Sequence, residues 1–373
     1  MSGCGRLVEC ASLAVQAERP TGAQQALRGG LALLSFGYGA LIRLRNVGYA
    51  VGILRTHRLP CRVLCVGNLT VGGTGKTPTV IALAASLTAA GSRVCVLLRG
   101  YRREGSGVAV VSDGAQVLLG WREAGDEAVL LARSLPGVPI IVGGDRVAGG
   151  RLAVDRFRPE VILLDDGFQH RRLRRDADLV LLDGMDPFGG GWLLPRGRLR
   201  EPVSALGRAR AILVTRADQA DDLARLRRRL ERIAPRLPLA LGVYRPCRLL
   251  DLSSKQSRRF EELRGKRVFA MSGIANPQGF QQTLVGTGAR VAGSLAFPDH
   301  HVFSPGDGAR MVREAHAVSA EWIVTTEKDA VRLDSQPPEG LPLLALGVRL
   351  EVIEGAAALE AALGIPVRCS NRG

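Results

Sequence analysis

From residue 62 to about residue 235, apolar runs rich in Val, Ile and Leu alternate with stretches whose apolar positions recur at helical spacing. The short runs predict buried strands at 62–66, 93–98, 108–111, 138–142, 161–164, 178–182 and 211–215. The periodic stretches predict helices near 76–90, 123–134, 146–156 and 219–233. Strand and helix alternating in this way imply an α/β fold with a doubly wound, largely parallel sheet, which binds ligands outside the carboxyl ends of its strands. Prolines at 235, 238 and 246 then interrupt the pattern, so a first domain over 56–235 is followed by a predicted linker over 236–250. A second, smaller α/β domain is expected over 251–350, with strands at 267–271, 290–296, 321–325 and 341–346. A closing helix near 356–363, in a tail over 351–373, is placed to return to the first domain. Ahead of the first domain, the segment 1–55 holds a strongly apolar stretch, 30–42, followed by Arg43 and Arg45.

The sharpest break in the pattern follows the first strand, in Gly67-Asn68-Leu69-Thr70-Val71-Gly72-Gly73-Thr74-Gly75-Lys76-Thr77. An apolar run that opens into a glycine loop, closes on Gly-Lys-Thr and continues as a helix reads as a P-loop of a nucleotide-binding fold. In such a loop, here 70–77, backbone amides and the helix N-terminus cradle phosphates, Lys76 reaches the β/γ oxygens and the Thr77 hydroxyl holds Mg²⁺. Thr70 stands where the general motif has its first glycine. A plain glycine turn between strand and helix is the alternative. Lysine usage weighs against it: the chain has four lysines (Lys76, Lys255, Lys266 and Lys328) among 51 Lys plus Arg, so a retained lysine has a reason. A compact ammonium fits between phosphates where a planar guanidinium does not.

At 373 residues the chain is long enough for two cores. Its formal charge of +16 implies an anionic partner: nucleic acid, anionic lipid or a phosphorylated substrate. Aromatics make up only 4%, and none interleave with basic residues as a base-stacking surface requires, which argues against nucleic acid. Cys4, Cys10, Cys61, Cys65, Cys95, Cys247 and Cys369 show no paired C-x-x-C spacing, which disfavours zinc and favours a reducing compartment. The apolar stretch 30–42 falls short of the roughly 20 residues needed to span a bilayer. No small-residue cleavage site follows it, so it reads either as an interfacial helix with arginines at headgroup level or as a core helix.

Val161-Ile162-Leu163-Leu164-Asp165-Asp166 has the form of a Walker B strand, whose carboxylates would sit with Thr77 around Mg²⁺; an exposed acidic turn is the alternative. Gln169 and His170 follow, then a basic run from Arg171 to Arg175. Asp126 and Glu127 open a helix, where acids ordinarily cap or complement the dipole, yet their place after an early strand also puts them near the γ-phosphate. The adjacent His300 and His301 diverge on any regular element, so one functional and one structural histidine is expected. Thr215-Arg216-Ala217-Asp218 and Thr326-Glu327-Lys328-Asp329 read equally as nucleotide-base loops or as helix caps. The arginines from 225 to 232 read as a solvated helix face.

Taken in order, the P-loop from Gly67 to Pro78, Arg99-Gly100-Tyr101, Gly125-Asp126-Glu127, Asp165 to His170, the turn from Leu193 through Pro195 to Arg200-Glu201-Pro202, Asp299-His300 and Thr326 to Val331 resemble the tetraacyldisaccharide 4'-kinase family of Gram-negative bacteria. The resemblance spans about residues 30–350, and that family carries threonine at the position of Thr70. It implies ATP-dependent phosphorylation of the 4'-hydroxyl of a tetraacylated glucosamine disaccharide 1-phosphate in lipid A biosynthesis. It places a peripheral monomer on the anionic cytoplasmic face of the inner membrane, which would account for both the charge and the apolar N-terminal stretch. It further implies Asp126 as general base, His300 orienting it, and Lys76, Asp166 and Arg200 neutralising charge. Mg²⁺ would be held by Thr77 with Asp165, Asp166 and Glu201, and closure of the two domains would complete the site. Gly190, where an asparagine is common, and Gly191-Trp192 depart from the family pattern. The first 30 residues exceed its usual start and are expected to be an extension or a misassigned initiation site. A P-loop GTPase or metallochaperone switch is the alternative from another class, and a nucleic-acid-dependent ATPase is supported by charge alone.

Overall fold

The computed structural model describes residues 21–333 and 340–367. Cys4, Cys10 and Cys369, most of the expected N-terminal extension and the end of the tail lie outside the described residues.

The strands are β1 (Arg62–Asn68), β2 (Val94–Leu98), β3 (Val108–Ser112), β4 (Ile140–Gly143), β5 (Val161–Asp165), β6 (Ala177–Asp183), β7 (Ala211–Thr215), β8 (Leu239–Asp251), β9 (Ser257–Arg258), β10 (Arg267–Ser272), β11 (Arg290–Ala296), β12 (Trp322–Thr326) and β13 (Leu343–Glu354). The helices are α1 (Gly22–Ala50), α2 (Lys76–Ala89), α3 (Trp121–Ala124), α4 (Asp126–Ser134), α5 (Arg146–Phe157), α6 (Leu223–Ile233), α7 (Pro277–Gly286), α8 (Pro305–Ala317), α9 (Glu327–Leu333) and α10 (Ala356–Leu363).

All described strands join one mixed sheet in the order β11-β10-β12-β13-β8-β7-β6-β1-β5-β2-β4-β3, with β9 beside β8. Pairing from β7 to β4 is parallel, as is pairing among β10 to β13. The two parallel blocks meet through the long antiparallel pair β8–β13. Strands such as β2, β5 and β7 are buried along their whole length, because helices cover both faces; this is why they read as unbroken apolar runs. One pair of core clusters lies on the two faces of the first block and a second pair on the faces of the other.

The segment expected as a linker is mostly the strand β8. Pro246 enters it where the register against β13 slips, Arg248 facing Gly347 and Pro246 facing Val348; such an irregularity is where a strand tolerates a residue without an N–H. The closing helix α10 inserts Leu359 and Leu363 into a core cluster of the first block. β1 lies between β6 and β5, so the chain's order reverses around it, and this switch point is where open α/β sheets take ligands.

Helix α1 begins with a capping box between Thr21 and Gln24 and buries only Ser35 and Gly39. Leu33, Leu34, Phe36, Leu41, Leu44 and Val47 all face solvent, so α1 is not a core helix. Among the described residues, no helix is long and apolar enough to cross a membrane.

Candidate active site

β1 delivers the glycine loop at the switch point, and Gly75 ends it in the left-handed region at φ 78°. A Cβ there would lie 1.5 Å from the Tyr244 hydroxyl, so close approach as well as backbone conformation demands glycine. Tyr244, on β8, donates to the Gly75 carbonyl at 3.2 Å. The other loop carbonyls are also engaged: Val71 by Arg198 (3.0 Å), Gly72 by the Thr74 amide (3.2 Å), Gly73 by Arg216 (2.9 Å) and Thr74 by the Thr215 hydroxyl (3.0 Å). With the carbonyls from Val71 to Gly75 engaged, all but that of Gly72 from outside the loop, amides are left to turn toward a ligand, the arrangement an anion requires. Thr215 and Arg216 thus brace the loop, and Arg216 is itself anchored on Asp183 at 2.9 Å.

Asp165 ends β5 beside this loop, 2% exposed, and its Oδ1 has no hydrogen-bond partner among the described residues. Burial, then the nearby Glu127 carboxylate, push its carboxyl up to about 7. Asp166 turns the other way at φ 53° and accepts a bidentate pair from Arg200 at 2.7 and 2.9 Å, with Lys76 at 3.7 Å. Burial opposes its ionisation, but Lys76 and Arg200 prevail and hold its carboxyl far below the usual range. Lys76 also reaches the Asn68 side chain at 3.4 Å. Arg146, not anticipated from the sequence, is buried nearby on the carbonyls of Gly143 and Gly144 and carries positive charge toward both aspartates. Gln169 donates to the Asn68 carbonyl at 3.0 Å, and burial, then Arg146, lower His170 to about 4, leaving it neutral.

Glu201, expected around a metal with Asp165 and Asp166, is paired within the protein instead. It is fully buried with both oxygens on Arg208 at 2.8 and 3.1 Å, and Asn46 of α1 adds a third bond at 2.9 Å. A carboxylate with three hydrogen bonds, two of them from a guanidinium that balances its charge, anchors α1 and the Arg200 segment.

The helix expected at 123–134 is broken at Gly125, whose φ of 92° separates α3 from α4 and sets Asp126 at the start of α4. Asp126 is 5% exposed. His300 Nδ1 lies 3.0 and 3.1 Å from its two oxygens, and Arg332 Nη1 lies 3.3 Å from Oδ2. Burial works against the carboxylate, but His300, Lys328 and Arg332 outweigh it and lower the carboxyl below its ordinary value. His300, itself at φ 60°, packs against the Tyr101 ring at 5.3 Å. The Asp126–His300 contact exists as the chain stands, so no domain closure is needed to form it. His301 instead stacks on Phe297 and bonds Asp307 at 3.1 Å. The Thr326–Asp329 segment caps α9 and turns inward to Gly273 and Arg332, away from the role of a base-reading loop.

Two acidic centres therefore flank the glycine loop, one holding an unpartnered buried oxygen and the other a carboxylate paired with cations. The family profile described as tetraacyldisaccharide-1-P 4'-kinase matches residues 27–365. The chain belongs to this family. A tetraacyldisaccharide 4'-kinase of Anaeromyxobacter sp. (strain K) is 45% identical over 351 residues, 93% of this chain and 92% of that relative. One from Syntrophus aciditrophicus (strain SB) is 43% identical over 338 residues, 86% of this chain and 88% of the relative. The crystal structure of LpxK from Aquifex aeolicus in complex with ATP superposes with a TM-score of 0.72 at 34% identity, covering 91% of this chain and 98% of that one. Membership of a kinase family sets the GTPase-switch alternative aside.

Proposed function

We propose that the protein transfers the γ-phosphoryl group of ATP to the 4'-hydroxyl of a tetraacyldisaccharide 1-phosphate, at an anionic membrane surface on the cytoplasmic side. The observation that carries this reading is the pairing of a braced phosphate loop with a buried, ionised Asp126 held by His300 at 3.0 Å. The loop amides and Lys76 bind the triphosphate, and Arg200 and Arg146 add positive charge around it. Asp126 accepts the proton of the sugar hydroxyl as its oxygen bonds to phosphorus and the bridging P–O bond to ADP breaks. His300 orients the carboxylate. Because Asp126 is held ionised, it meets the hydroxyl already deprotonated at neutral pH.

Mg²⁺ fits the other centre. A buried carboxylate oxygen without a partner, on an Asp165 pushed up to about 7, is the signature of an acid that wants a cation beside it. Asp165 and the Thr77 hydroxyl would hold the ion, whose chemistry is to neutralise charge on the β- and γ-phosphate oxygens. Asp166, already engaged by Arg200 and Lys76, positions those cations.

The exposed apolar face of α1 and the +16 charge support docking on anionic lipid. α1 also touches the site's supports: Tyr38 donates to the Arg200 carbonyl at 2.9 Å and Ser35 to the Leu193 carbonyl at 2.9 Å.

The test is a mass spectrum of tetraacyldisaccharide 1-phosphate after incubation with the protein, Mg²⁺ and ATP in mixed micelles. Gain of one phosphoryl group, absent with Lys76→Ala, is expected. An unmodified acceptor with nucleotide still hydrolysed would overturn the assignment.

A further inference from the structure

Asp126 belongs to the first block of the sheet, yet the groups that hold it come mostly from the second. Arg332, in α9, is almost wholly buried and reaches three partners: Asp126 Oδ2 at 3.3 Å, the Gly273 carbonyl at 3.0 Å and the Asp329 carboxylate. Asp329 is in turn fixed by the Gly273 amide at 3.0 Å and the Thr326 hydroxyl at 2.7 Å. Lys328, one residue before Asp329, spans Glu127 Oε1 at 3.0 Å, Asp299 Oδ1 at 3.3 Å and His300 Nε2 at 3.3 Å. Burial opposes charge on Lys328, but Glu127, Asp126 and Asp299 prevail and keep its ammonium above the ordinary lysine range. One short helix therefore delivers two cations, one to the base and one to the histidine that orients it.

A guanidinium this deeply buried needs a purpose beyond stability, because a buried ion pair gains little net energy over an apolar replacement. Arg332 faces two carboxylates at once: it hydrogen-bonds Asp329, which the Gly273 amide and the Thr326 hydroxyl also hold, and sets its Nη1 in an ion pair 3.3 Å from Asp126 Oδ2. Its planar fork fixes direction where an ammonium would only supply charge. We propose that Arg332, itself oriented by Asp329, is a positioning residue of the transfer reaction, holding the Asp126 carboxylate in one orientation from across the junction between the two sheet blocks. This deepens the kinase reading and rests on it. The charged groups facing Asp126 are His300, Lys328 and Arg332 from the second block and Glu127 from its own helix, with Asp299 and Asp329 behind them.

Arg332→Met alone leaves Asp329 buried without a counter-charge, so the informative protein is the double variant Asp329→Asn/Arg332→Met, which removes both buried charges together. In the full chain with Mg·ATP and micellar acceptor, kcat should fall on the order of 10- to 100-fold while KM for ATP stays within about twofold. The acidic limb of the kcat pH profile should move up by less than about one unit, because the cation lost is the one paired with Asp126 while the carboxylate lost with it stands behind that cation. Arg332→Lys, which returns charge without the fork, should restore the acidic limb but only part of kcat. A folded double variant with wild-type kcat and an unmoved acidic limb would overturn the proposal, as would full recovery of kcat by Arg332→Lys. Asp126→Asn, measured alongside, separates the two readings. If it retains transfer, the assignment of the base fails; if it abolishes transfer while the double variant is normal, only the role of Arg332 fails.

Discussion

The two acidic centres are built from the same residue type and solve opposite problems. Asp165 is buried with no cation paired to it; burial, with Glu127 and Asp166, prevails over Lys76 and Arg146, and its carboxyl is pushed up to about 7. Asp126 is nearly as buried, but His300, Lys328 and Arg332 surround it and its carboxyl is lowered. Burial raises both; the difference lies in whether the protein supplies the compensating charge itself. A carboxylate meant for a metal stays incomplete until the ion arrives, whereas a carboxylate meant to take a proton is kept ionised and aimed beforehand. They also differ in assembly. Asp165 ends β5 beside β1, which carries the glycine loop, within one block, while Asp126 and His300 lie 174 residues apart and meet only because β8 and β13 join the blocks.

The largest break in this comparison comes from Asp126→Asn, which should lower kcat by roughly 10²- to 10⁴-fold and leave Mg·ATP binding by calorimetry almost unchanged. Next, Asp165→Asn should weaken Mg²⁺-dependent ATP binding on the order of 10- to 100-fold, read by titrating ATP with and without the metal. The same acid gives a pH signature in metal-free protein. Between the unfolded carboxyl value near 4 and about 7, native Asp165 holds a proton that the unfolded chain has lost, so stability falls as pH rises, by at most about 1.4 kcal/mol per pH unit. Melting temperature should therefore drop from about pH 5 to about pH 7 more in wild type than in Asp165→Asn, and flatten above. Equal slopes would mean that Asp165 is not held protonated.

Smaller effects mark the periphery of both centres. Replacing Phe36, Leu41 and Leu44 of α1 by serine should cut partitioning onto anionic vesicles at least about 10-fold, since each fully buried apolar side chain is worth about 1.5–3 kcal/mol. Mg·ATP affinity should be spared. Tyr244→Phe removes one hydrogen bond to the Gly75 carbonyl, a net loss of about 0.5–1.5 kcal/mol that should show as a few-fold weaker nucleotide binding.

Much of the first block was legible because each parallel strand is buried on both faces and ends in its own motif. The apolar run before Asp165, the glycine loop and Lys76 are adjacent in sequence to what they do. β8 was not legible, because Pro246 reads as a break unless the register slip that accommodates it is known. The pairing of Glu201 was not legible because the Arg200-Glu201 neighbours point to different partners, Asp166 and Arg208, which no spacing reveals. Lys328 carried a usable signal: it is one of four lysines in an arginine-rich chain, and its partners Glu127, Asp299 and His300 explain its retention. Arg332 carried none, since among 47 arginines only the topology singles it out.

The division of labour between the two centres is tested most directly by titrating Mg·ATP into Asp126→Asn and Asp165→Asn and measuring 4'-phosphoryl transfer by each in the same preparation. Full nucleotide binding without transfer in the first, and impaired Mg²⁺-dependent binding in the second, is the expected pair of results. Normal transfer by Asp126→Asn, or undiminished Mg²⁺-dependent binding by Asp165→Asn, would contradict it.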